Sequence, residues 1–183
     1  MTLTEVLKSR RSVRKFAPQS TSRATVEGLL KLTLTTAPSS KNVRSTRFIV
    51  VDDPSTLRRI SAMRDFGSAL IADAPCGVLV LGDGSATDLW LDNAAISATV
   101  LQLAATEAGL GSCWVHVNGR PRVSKAPVEG SPAEPAETAA EYLRGFLPIP
   151  AEWNPLCFIA MGYPTEPTKP HSEKDDSDKI IFI

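Results

Sequence analysis

The chain of 183 residues carries 20 Lys plus Arg against 20 Asp plus Glu, so no global field recruits nucleic acid or an acidic membrane surface. That length suits one domain of ordinary size, the 43% hydrophobic content is enough for a core, and any anion site has to be built locally. Cys76, Cys113 and Cys157 form no CxxC or Cys/His ligand pattern and read as reduced core thiols, and Met1 leads into polar sequence with no apolar run near the roughly 18 residues of a membrane span, so the expectation is a soluble cytoplasmic protein.

Residues 2–10 predict a first helix, capped by Thr2 or Thr4, with Leu3, Val6 and Leu7 on one face. It ends in a basic cluster. Thr25 to Thr36 predicts a second helix that Pro38 stops, and a polar loop, Ser39 to Arg47, leads into the β-branched run Phe48 to Val51. A turn at Asp52, Asp53 and Pro54 opens a third helix at Ser55. Ala74 to Leu81 predicts a buried strand. Leu89 to Ala108 is apolar nearly all round, which predicts a central helix, closed by Gly109 and followed by a strand over Cys113 to Val117. Residues 119–136, rich in Pro and Gly, read as a lid or linker; Ala139 to Phe146 predicts a short helix and Leu156 to Met161 a strand. The arm over 164–183 is polar until Ile180, Ile181, Phe182 and Ile183, an apolar end for which a partner subunit is one docking place.

Three clusters carry candidate chemistry. Ser9 to Phe16 puts Arg10, Arg11, Arg14 and Lys15 beside the hydroxyls of Ser9 and Ser12, the donor set a phosphate dianion requires. The same residues also suit a solvated basic stretch that complements a helix dipole. Ala37 to Phe48 supplies hydroxyls, an amide and a guanidinium on a loop next to a strand, and Ala108 to Trp114 is a glycine-punctuated helix-to-strand turn; alone, the first reads as a plain loop and the second as a helix stop. Neither GxGxxG nor a Walker loop is present. His116 on an apolar strand reads as a satisfied core histidine, two histidines in all make a metal site a poor reading, and Ser39 and Ser112 lack the GxSxG elbow of a hydrolase.

Taken in order, with Asp92 to Ala98 and Phe158 to Pro164 added, these segments resemble the FMN-dependent nitroreductase family along nearly the whole chain. That family shows RRSxRxF near its start, then APSSxNxQPW before a strand, a central helix ending GLGxxW, and a late strand ending GYP; here the four stand at Arg10–Phe16, Ala37–Thr46, Gly109–Trp114 and Gly162–Pro164. The resemblance implies one α+β domain over 1–183, a mixed, mostly antiparallel sheet flanked by helices, in an intertwined homodimer.

It further implies that Arg10, Arg11, Ser12 and Arg14 hold the FMN phosphate and ribityl chain. Pro38, Ser39, Ser40 and Asn42 match the loop that reaches the flavin of the opposite subunit, and Leu110, Gly111 and Ser112, beside Cys113, the turn along its ring. The family glutamine is replaced by Arg44, and Pro-Trp by Ser45 and Thr46; a guanidinium near the flavin pyrimidine can stabilise charge on the reduced ring. Lys169, His171 and Lys174 are candidates for a late basic contact to the phosphate. Implied with these is an oxidoreductase in which NADH or NADPH reduces FMN and an electron-poor acceptor such as a nitro compound or quinone follows in ping-pong order, without an essential side-chain acid or base. A flavin carrier, sensor or storage protein on the same fold is the alternative.

Overall fold

Side-chain caps mark the starts of four of the five α-helices among the described residues. In the computed structural model, which describes residues 1–122, 137–169, 171 and 176–183, helix α1 (Leu3–Ser9) opens with a capping box in which Thr2 accepts from the Glu5 N–H and Glu5 accepts from the Thr2 N–H. Helix α2 (Arg23–Thr36) starts from Ser22, and helix α3 (Pro54–Ser61) starts from Asp53 with Pro54 in its first turn. Helix α4 (Trp90–Glu107) ends at a turn where Gly109 takes φ +77, and α5 (Ala139–Arg144) repeats the capping box with Thr138 and Glu141. Among the described residues no helix is long and apolar enough to cross a membrane.

The strands are β1 (Thr46–Val51), β2 (Cys76–Asp83), β3 (Gly111–His116) and β4 (Trp153–Gly162), ordered β1-β2-β4-β3 with every ladder antiparallel. A parallel pairing enters as a single bridge between Ser12 and Ser112 on the open side of β3. β4 begins three residues before the predicted Leu156, since a register shift opposite Val80 and Leu81 accommodates Pro155, which has no N–H to donate.

Both faces of the sheet are covered, and strand alternation sorts the core into two layers. Leu79, Leu81, Phe158 and Ala160 pack with Leu57, Ile60 and Leu143 from α3 and α5; Val78, Val80, Ile159 and Met161 pack with Val26, Leu29 and Leu101 from α2 and α4. α4 is central to the second layer on one side only. Ala94, Ala98, Leu101 and Ala105 are buried, whereas Leu91 and Ile96 face outward, as do Leu3 and Leu7 of α1, of whose predicted apolar face Val6 alone is buried. The arm's Ile180 to Ile183 is exposed as well.

The two ends of the 119–136 segment are tied together. Pro121 bridges Thr138, the Arg122 N–H donates to the Glu137 carbonyl at 2.8 Å, and the two side chains pair at 2.6 Å. The predicted lid or linker itself falls mostly on 123–136, outside the described residues.

The cap of α3 gives the fold an acid-sensitive element. The hydroxyls of Ser55 and Thr56 and the Thr56 N–H all donate to Asp53 and lower its pKa from 3.8 to about 2. A carboxylate depressed in the folded state stabilises it above the ordinary pKa, and that contribution is lost as pH falls toward about 2. Between about pH 5 and about pH 2 the thermal midpoint of the parent is therefore expected to fall more steeply than that of Asp53→Asn. Parallel curves from calorimetry at stepped pH would refute the assignment.

Candidate functional site

Beyond Arg10, which caps α1, the basic segment runs along the open edge of β3. The Val13 N–H donates to the Ser112 carbonyl at 2.9 Å, and the bridge joins Ser12 to Ser112. Val13 and Phe16 turn into the core, leaving Ser12, Arg14 and Lys15 exposed and Arg10 and Arg11 half-buried. Gly111 makes this approach possible: a Cβ there would lie 2.8 Å from the Val13 Cβ. Sequence reading places Gly111 and Ser112 in a turn, but the left-handed Gly109 has already completed the helix stop and both residues belong to β3, with Leu110 buried just before it. The buried Ser112 hydroxyl accepts from Gln102 Nε2 at 3.3 Å.

The arm folds back along the same segment. Phe16 bridges Pro164, the Thr165 N–H donates to the Lys15 carbonyl at 3.3 Å, and the Thr168 hydroxyl donates to the Ser9 carbonyl at 3.2 Å. Arg11 Nε donates to the Lys169 carbonyl and Nη1 to His171 Nδ1, while His171 Nε2 lies 3.0 Å from the Arg10 carbonyl, a set satisfied by the Nε2–H tautomer. Lys169 and His171 thus stand beside the cluster, and Lys174 lies outside the described residues. Between segment and arm is an open cleft of about 320 Å³ lined by Arg11, Ser12, Arg14, Lys15 and residues 164–169. A second, of about 180 Å³, reaches Thr106, Leu110 and Gly111. Among the described residues Arg10, Arg11, Arg14 and Lys15 have no carboxylate partner, which leaves a local excess of positive charge on a neutral chain.

The second group, Pro38 to Arg44, is a strained loop. Ser40–Asn42 forms one 3₁₀ turn, and Lys41, Asn42 and Arg44 take φ of 51, 54 and 51, a conformation that costs a non-glycine residue about 1–2 kcal/mol. Its polar bonds hold it there. Ser39 Oγ accepts from the Arg44 N–H at 3.0 Å, Arg44 Nε donates to Asn42 Oδ1 at 3.1 Å, and Arg47 Nη1 donates to the Arg44 carbonyl at 2.8 Å. Arg47 is itself braced by Asp83 at 3.0 Å, a carboxylate held below its ordinary range first by the Ser85 hydroxyl and last by Arg47. On the helix side, the Ser40 N–H donates to Asn93 Oδ1 at 3.1 Å and Asn93 Nδ2 to Ser45 Oγ at 3.0 Å. Pro38, Asn42 and Arg44 are exposed, and Ser39 and Ser40 half-buried.

The structure brings Arg10–Arg14 together with Leu110–Ser112 and keeps Pro38–Arg44 apart from them. Ser40 meets α4 at Asn93 and Ser112 meets it at Gln102, nine residues further on, or about 14 Å of helix rise. Neither cleft beside the basic segment is lined by any residue of 38–44. Asn93, Ser45 and Arg47 are the residues that sequence reading leaves without a role; an asparagine in the first turns of a largely apolar helix was the available signal.

The three thiols are buried, and burial raises the pKa of each, which leaves none poised as a nucleophile. Half-buried His116 accepts from Trp114 Nε1 at 3.3 Å and stacks on that ring; burial first, then Arg120 and Arg64, hold its pKa low.

Residues 7–64 and 61–163 match the model of the nitroreductase family. An FMN-dependent nitroreductase from Clostridium difficile R20291 is 34% identical, with 97% of this chain and 96% of that chain aligned and a TM-score of 0.84. A Methanothermobacter thermautotrophicus protein, provisionally named NADH dehydrogenase/NAD(P)H nitroreductase, is 28% identical over 91% of this chain and 79% of its own length. A nitroreductase-type structure from Desulfovibrio desulfuricans solved in complex with FMN, 22% identical over 100% of this chain and 97% of that one, has a TM-score of 0.78 and shares the fold.

Proposed function

The chain belongs to the nitroreductase family of oxidoreductases, and from that premise we propose that it is an FMN-dependent, NAD(P)H-oxidising reductase of electron-poor acceptors such as nitro compounds or quinones, working in ping-pong order as a homodimer. The observation that carries this reading is the cationic segment Arg10–Arg14, which forms no ion pair among the described residues and is laid against Gly111 and Ser112. Guanidinium forks and a serine hydroxyl are the donors a phosphate monoester needs, so the residues present fit FMN.

Arg10, Ser12 and Arg14 would bind the phosphate, with Arg11 positioned by the arm. Leu110 and the β3 edge at Gly111 and Ser112 would carry the ring of the same flavin, while Pro38, Ser39, Ser40, Asn42 and Arg44 would meet it from the partner. When bound, FMN supplies the hydride acceptance and donation that no side chain here can. The protein's part is to hold, orient and polarise: Arg44 places a fixed positive charge at the loop tip, where it would favour negative charge on its ligand. Dimerisation is supported by the separation of the two groups along α4 and by the outward Leu3, Leu7, Leu91 and Ile96, a set of apolar side chains suited to an interface.

The purified protein is expected to be yellow and to release FMN, identified by mass after extraction. Anaerobic NADH or NADPH should then bleach the flavin band. Recovery of FAD, or no flavin uptake on reconstitution, would overturn the cofactor; bound FMN that neither nicotinamide bleaches would replace the reductase with a flavin carrier.

A further inference from the structure

We propose that Asn93, buried within α4, is the positioning residue that sets the shape of the flavin-facing loop; the inference rests on the FMN reading above. The residue is 2% exposed, and the two ends of its side chain hold the two ends of one short segment, Oδ1 accepting from the Ser40 N–H and Nδ2 donating to Ser45 Oγ. Its carbonyl accepts from Thr46 Oγ1 at 3.2 Å, and Thr46 in turn meets Ser97 Oγ at 2.9 Å. Between the two anchored residues lie Lys41, Asn42 and Arg44, all left-handed and none a glycine. Such a segment relaxes unless its ends are fixed, because the unstrained conformations of those residues lie elsewhere.

Two features separate positioning from mere support. The buried positions nearest Asn93 around α4, among them Ala94, Ser97, Ala98, Leu101 and Ala104, are small or aliphatic, and an alanine at 93 would serve helix and core better than an asparagine does. The polar groups that leave the loop for solvent, on Asn42 and Arg44, are the ones whose direction the clamp decides. A residue that costs α4 propensity while fixing three strained neighbours is placed for the loop.

The test uses apo-protein titrated with FMN, the visible spectrum of the bound flavin and the thermal midpoint, for the parent, Asn93→Ala, Asn93→Asp and Leu101→Ala. Asn93→Ala leaves the Ser40 N–H and Ser45 without their partner; the FMN Kd is expected to rise about tenfold and the bound spectrum to shift. Asn93→Asp keeps the acceptor for Ser40, lets the Ser45 hydroxyl donate instead, and sits near the positive end of α4, so its Kd should stay within about threefold of the parent. Leu101→Ala, which opens a cavity in the core away from the loop, should lower the thermal midpoint at least as far and leave the Kd within about twofold. An Asn93→Ala that binds like the parent, or whose loss Leu101→Ala matches, overturns the proposal. If Asn93→Ala does not fold, Ser45→Ala decides: an unchanged Kd and spectrum overturn it. A parent that takes up no FMN overturns the flavin reading, whereas an FMN-binding parent with an indifferent Asn93→Ala overturns the role of Asn93 alone.

Discussion

Replacing Arg14 with alanine is expected to weaken FMN binding by about 1.5–3 kcal/mol, the range for a hydrogen bond to a charged group, or roughly 10- to 150-fold in Kd. Arg14 is the cleanest member of the cluster to remove. It is exposed, and among the described residues its one side-chain bond is to the Ser12 carbonyl at 3.2 Å, so folding depends on it little. Arg11 is different, because its guanidinium holds Lys169 and His171, and truncating it would also release the arm. The thermal midpoint of apo Arg14→Ala should therefore match the parent while its FMN titration does not. Salt offers a second check: the parent's affinity should fall more steeply than the variant's as ionic strength rises, since the lost contact is electrostatic. An unaltered affinity would make the segment a solvated basic surface, the other reading its composition allows.

Much of this arrangement is written locally in the chain. Thr2 with Glu5, Ser22, and Asp53 with Pro54 mark helix starts within three residues, and the apolar runs of β2 and β4 signal strands buried on both faces. The family's motifs supplied the candidate residues that composition alone leaves ambiguous. What stayed illegible depends on pairing across distance. Ser40 and Asn93 are 53 residues apart, and no periodicity announces that an amide in an apolar helix will clamp a loop. The period of α4 likewise shows a helix apolar nearly all round without saying which of its faces this chain covers. Ala98 and Leu101 are buried by the chain's own sheet and helices; Leu91 and Ile96 are not. Gly111 was legible as a glycine but not as the space that Val13 fills, because that contact joins segments nearly a hundred residues apart.

The dimer makes the most demanding prediction, that activity returns when two inactive variants are mixed. One variant would lack Arg10 and Arg14, the other Ser40 and Asn42, and neither alone should bind FMN well enough to turn over. Within one chain the groups meet α4 at Gln102 and Asn93, and neither cleft beside the basic segment includes a residue of the loop. If a flavin takes its phosphate contacts from one protomer and its loop contacts from the other, a mixed dimer holds one site with both sets intact and one with neither. Up to about half the parent activity per heterodimer is then expected. Subunit exchange has to be verified by mass, and because the monomer of such a dimer can be unstable, mixing is a better probe than dilution. Exchange without recovery would mean that all four residues serve their own chain's site, or that Ser40 and Asn42 do not meet the flavin at all. Recovery would place the loop and the basic segment on opposite sides of one shared site, a division that neither group shows within its own subunit.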